Sequence, residues 1–119
     1  KTRSGLFAEA GRAMFELITD TERIKPVATR ELYLDGIDLT DLLINWLREL
    51  LMLWNADQEL VKSIQIDELT DTRLRAQVRT QPFDARKHVI YTDIKAVTYH
   101  NAQIVFAAGG WEASVIFDI

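Results

Sequence analysis

Asp118 and Ile119 close the sequence. Together they offer two neighbouring carboxylates, one on a side chain and one on the terminal backbone. Adjacent hard oxygen donors of this kind suit a divalent cation such as Ca²⁺, Mg²⁺ or Mn²⁺. They also fit a plainer reading, an edge strand with a solvated polar end. Upstream, Lys95 opens the run Lys95-Ala-Val-Thr-Tyr-His100, and strict alternation sets it on one face with Val97 and Tyr99. A lysine there is directed at an anion, either Asp118 or a partner's phosphate or carboxylate, or it snorkels at the start of the strand. The only histidines are His88 and His100, and histidines in loops or at strand ends are usually structural or solvated. No HExxH pattern, glycine-rich phosphate loop or nucleophile elbow is present. The least that an enzyme could use is Asp118 with His100 around a bound cation, the arrangement of a metal-dependent phosphoester hydrolase. Arg73, Arg75 and Arg79 alternate along another run. They could meet a phosphate or an acidic partner, or simply form the solvated side of a sheet.

The elements that position these groups follow from periodicity. From Gly5 to Thr19, Leu6, Phe7, Ala10, Ala13, Met14, Leu17 and Ile18 recur at helical spacing, with Thr2 or Ser4 available as a cap. Gly11 lowers helix propensity by roughly 1 kcal/mol relative to Ala, so it predicts close packing against a neighbour. Pro26 ends a loop over residues 20–26, and Val27 to Leu34 reads as a strand with a turn at Asp35-Gly36. Asp38 then caps a second helix whose stripe of Leu39, Leu42, Leu43, Trp46, Leu47, Leu50, Leu51 and Trp54 is wide enough to lie across a sheet. Val61–Glu68 and Arg73–Thr80 read as strands around a turn at Thr70-Asp71. A loop carrying His88 leads to a strand from Thr92 to Phe106, and Gly109-Gly110 reverses the chain into Trp111–Ile119. Trp111, Ala113, Val115, Phe117 and Ile119 share one face of that last strand, the pattern of a core strand. The whole reads as a single α+β domain over residues 1–119, two amphipathic helices packed on a largely antiparallel β-sheet.

Composition narrows the function. At 119 residues, 48% hydrophobic and 27% charged, the chain suits one globular core. It has no cysteine, which excludes disulfides, thiolate metal sites and a cysteine nucleophile and fits a reducing cytoplasm. No apolar run approaches a membrane span. The net charge of −4, from 18 acidic and 14 basic residues, argues against tight direct binding of nucleic acid, which needs phosphate neutralisation.

The pairing of Lys95–His100 with the terminal Val115-Ile-Phe-Asp-Ile119 resembles the archease family. The resemblance extends to the opening Lys1-Thr2, to Phe15–Asp20, to Leu43–Leu51, and to Pro82-Phe83-Asp84 with His88 beyond. It implies an accessory protein rather than an enzyme, one that helps a GTP-dependent RtcB-type RNA ligase of tRNA splicing take up its guanylate, turn over repeatedly and widen its nucleotide use. It further implies a divalent cation held by carboxylates that include Asp118 and the free carboxylate of Ile119, and a functional lysine at Lys95. Lys95 and His100 are thus the candidate contacts to a partner or an anion. Family members begin with an extra strand bearing another ligand aspartate, and the sequence starts at Lys1, beyond it. The expected consequences are weak cation binding and an open sheet edge. A protein-interaction module without metal is the remaining alternative.

Overall fold

The structure is a computed structural model and describes residues 2–119. Lys1, part of the opening that carries the resemblance, lies outside the described residues. Helix α1 spans Arg3–Ile18 and is capped by Thr2, whose hydroxyl accepts from the Gly5 N–H at 2.9 Å. Its buried face is Phe7, Gly11, Met14, Phe15 and Ile18, rotated from the expected stripe, so Leu17 is half exposed. The reason is Gly11. A Cβ at that position would come within 2.7 Å of both Ile64 Cδ1 and Leu50 Cδ1, so the helix turns its glycine towards its neighbours and approaches them closely.

Strand β1 (Ala28–Asp35) follows a single 3-10 turn at Thr21–Arg23. Helix α2 (Leu39–Asn55) is capped by Asp38, which accepts from the Asp41 N–H at 2.8 Å. Its stripe is buried as the spacing predicts, from Leu42 through Trp46 and Leu50 to Trp54. The Trp46 indole N–H donates to the Phe7 carbonyl at 2.8 Å, a buried bond that ties the two helices together.

Strands β2 (Glu59–Leu69) and β3 (Arg73–Pro82) complete an antiparallel sheet of order β1-β3-β2. Leu74, Ala76, Val78 and Thr80 of the central strand are buried beneath the helices. Glu59, also buried, accepts from the Arg30 guanidinium and from the Thr80 hydroxyl at 3.0 Å, which ties all three strands. The arginine row lies on the opposite, open face. Arg75 pairs with Asp67 and Glu68 there, as on the solvated side of a sheet.

Strands β4 (Ala96–Ala107) and β5 (Gly110–Asp118) form a separate antiparallel hairpin. Three expectations need correction. β4 begins at Ala96, four residues after Thr92, because β5 ends at Asp118 and, among the described residues, no strand lies opposite the residues before. The reversal is made by Ala108 and Gly109, both at positive φ (52° and 77°), with Gly110 already in β5. The expected core face of β5 is only half buried, and Ile119 is 74% exposed. Beside the buried Val97, Ala102, Ile104, Ala113, Val115 and Phe117 pack only partly against the core. Helices and antiparallel strands are otherwise arranged as the α+β reading requires.

Candidate functional site

The hairpin brings its two open ends together. Ala96 lies opposite Asp118 in the register, and the backbone N–H of Lys95 donates to the Asp118 carbonyl at 2.6 Å. Lys95, Asp118 and Ile119 therefore share one corner of the molecule. The Lys95 ammonium, however, donates to Asp93 at 3.2 Å rather than to the Asp118 side chain. That pair is well exposed on both sides, so it is readily exchanged for another anion.

Lys95 also stands between two clefts. One, of about 510 Å³, is lined by Trp54, Asn55, Gln58, Ile90, Asp93 and Lys95. The other, of about 370 Å³, lies between the outer face of α2 (Arg48, Leu51, Met52, Asn55) and the residues 95–97. Two bonds from α2 hold this part of the chain in place: Arg48 Nε to the Val97 carbonyl at 3.0 Å and Asn55 Nδ2 to the Ile94 carbonyl at 3.4 Å. The Arg48 guanidinium also sits 4.6 Å from the centre of the Tyr99 ring. The Tyr99 hydroxyl in turn donates to Asp41. That bond, with the Ile37 N–H next in importance, holds the Asp41 carboxyl below its ordinary range, and the Tyr99 hydroxyl is raised by the same contact.

His100 is elsewhere. It is exposed, within the irregular stretch of β4 between Thr98 and Gln103, where Asn101 adopts a φ of 55°. Four residues along an extended chain put it on the order of 10 Å from Ala96 and thus from Asp118. The hydrolase arrangement of Asp118 with His100 is not brought together. His88, by contrast, is buried at 3% exposure. Its Nδ1 accepts from the Asp84 N–H at 3.0 Å, and its Nε2 lies 3.1 Å from the Gln81 side-chain oxygen. It therefore serves as a structural tie.

The donor chemistry at Asp118 and Ile119 suits a hard cation, but the donors are few. Among the described residues no three of His, Cys, Asp or Glu converge on a metal position. A cation there would keep much of its water.

The Asp41–Tyr99–Arg48 chain was not singled out from the sequence. Its signal is a second, polar stripe on α2, in which Asp41, Asn45, Arg48 and Asn55 recur at helical spacing beside the apolar one.

Two helices laid on antiparallel sheets, with a carboxylate and a lysine at the open end of a hairpin, define a small α+β protein. The Archease protein family model matches residues 1–119. The protein archease of Methanosarcina barkeri is 37% identical over 123 residues, covering all of this chain and 84% of that protein. The archease of Methanopyrus kandleri is 34% identical, covering 99% of this chain and 86% of its own length. The solution structure of protein 1598 of Methanobacterium thermoautotrophicum superposes with a TM-score of 0.80 at 30% identity, over all of this chain and 86% of that one. The chain belongs to the archease family.

Proposed function

We propose that this protein is an accessory factor of a GTP-dependent RtcB-type RNA ligase of tRNA splicing, promoting guanylylation and repeated turnover without catalysing a reaction itself. The observation that carries the reading is the bond from the Lys95 N–H to the Asp118 carbonyl, because it sets the lysine beside the carboxylates that the family resemblance assigns to a cation. Asp118 and the carboxylate of Ile119 would hold Ca²⁺, Mg²⁺ or Mn²⁺ through oxygen, and the ion would supply a local positive charge. Lys95 adds a mobile ammonium, free to leave Asp93 for an anionic group of the partner. The clefts on either side of it give that partner something to grip.

The test is ligation in the presence of variants. Lys95→Ala should lower stimulation of the ligase and leave the melting temperature nearly unchanged, since the side chain is exposed. A large fall in melting temperature would make Lys95 structural instead. Adding one glycine after Ile119 should impair stimulation by displacing the carboxylate, and normal stimulation would remove that group from the account.

A further inference from the structure

The segment between β3 and β4 has little regular structure, yet it is pinned from several directions. His88 is buried and bonded to Gln81 and to the Asp84 N–H. Thr19, at 1% exposure, donates its hydroxyl to the Val89 carbonyl at 2.6 Å. The Tyr91 N–H donates to the Ile18 carbonyl at 2.7 Å, and Thr19 forms an isolated bridge with Ile90. Asp84 closes the turn by accepting from the Arg86 N–H at 2.9 Å.

What this rigid segment presents outwards is a cation pair and two large apolar groups. Arg86 and Lys87 are exposed, and Val89 and Tyr91 are each 63% exposed. Together with Arg23 and Asp20 they surround a cleft of about 380 Å³. Two of its three cations already face carboxylates: Arg23 lies 3.8 Å from Asp20, and Arg86 3.3 Å from Asp84. The Arg23–Asp20 pair is exposed and loosely held, so a phosphate can displace it. Arg86 is exposed while its partner Asp84 is mostly covered, and the guanidinium has N–H groups left over to meet a phosphate without leaving the pair. Lys87 makes no ion pair among the described residues. On a chain of net charge −4 this is a local excess of positive charge, set beside an exposed aromatic ring.

Basic side chains flanking a ring are the combination that binds single-stranded nucleic acid, the ring stacking on a base while the cations follow the backbone. The cleft has the volume of a site for one small ligand. From these features we propose that the cleft bounded by Arg23, Arg86, Lys87 and Tyr91 binds a nucleotide unit of single-stranded RNA, weakly and without sequence preference. The choice of RNA rests on the ligase-accessory reading, because a helper that touches the ligase's substrate needs only a transient hold. The base stacks on Tyr91, and the three cations approach its phosphate and those of the neighbouring nucleotides.

The experiment is a titration of the isotope-labelled protein with a short single-stranded RNA, followed by amide chemical shifts and without any ligase. The shifts should centre on residues 20–23 and 85–91. Three phosphate contacts predict a slope of about −2 for log K against log salt, so affinity should fall roughly fifteen-fold between 50 and 200 mM salt. Lys87→Glu should flatten that slope by about one contact's worth, and Tyr91→Ala should weaken binding with little change in slope. No shifts up to millimolar RNA, or shifts centred on Lys95, overturn the inference. Equal shifts with an oligoglutamate peptide overturn it too, and would assign the cleft to an acidic protein surface. Because the ligase is absent, failure here leaves the accessory role to be judged by its own assay.

Discussion

Arg48 is one of the residues that hold the hairpin to the rest of the molecule, and its removal has a measurable size. A two-stranded hairpin alone is marginal in water, and Val97 is the one residue of β4 and β5 that is fully buried. Arg48 adds a hydrogen bond to the Val97 carbonyl at 3.0 Å and a stack on Tyr99 at 4.6 Å. Arg48→Met keeps the apolar stem and removes both. A net hydrogen bond contributes about 1 kcal/mol, and an exposed cation–π contact about 0.5 kcal/mol. The sum of about 1.5 kcal/mol corresponds to roughly a tenfold change in an opening equilibrium. Native-state hydrogen exchange should therefore show amides of residues 96–98 and 116–118 exchanging about ten times faster, while those of β2 and β3 keep their protection. Equal acceleration in both sheets, or none in the hairpin, would refute the claim that Arg48 anchors the hairpin locally.

Three further outcomes follow from single positions. Ala108 occupies a left-handed conformation with no side-chain compensation, so Ala108→Asn should raise stability by about 0.5–1 kcal/mol in denaturant unfolding; a loss would mean that the reversal is made differently. At Gly36 a Cβ would meet the Leu42 backbone at 2.7 Å, and Gly36→Ala should destabilise by about 1–3 kcal/mol, since a backbone neighbour cannot rotate away. Glu59 has its carboxyl held below the ordinary range, chiefly by Arg30. That stability is present above the unfolded carboxylate pKa and is lost as pH falls through the lower folded value. Arg30→Met should therefore flatten the acid side of the melting-temperature profile, and an unchanged profile would place the acid sensitivity elsewhere.

Much of this was legible in the sequence because it depends on local pattern. The caps at Thr2 and Asp38, the apolar stripe of α2 and the alternation of Leu74, Ala76 and Val78 each follow from neighbours a few residues apart. Gly11 announced a close approach, though not which elements would meet it. The illegible parts depend on distant residues. Where β4 starts is decided by where β5 stops, and the turn moved by one residue because the ladder pairs Ala107 with Gly110. At the candidate site the adjacency of Lys95 to Asp118 was recoverable from two strands expected to pair. The partner of the Lys95 ammonium was not, because Asp93 lies in irregular chain just before the strand. The Asp41–Tyr99–Arg48 chain joins a helix to a strand some fifty residues away, and no local pattern records such a contact.

The central claim is the accessory role, and multiple-turnover RNA ligation tests it most directly. An RtcB-type ligase with GTP and Mn²⁺ would be assayed with and without substoichiometric amounts of this protein. The account predicts many more ligated products per ligase in its presence, with the gain lost in Asp118→Ala. Product numbers that stay the same with and without the protein would contradict it.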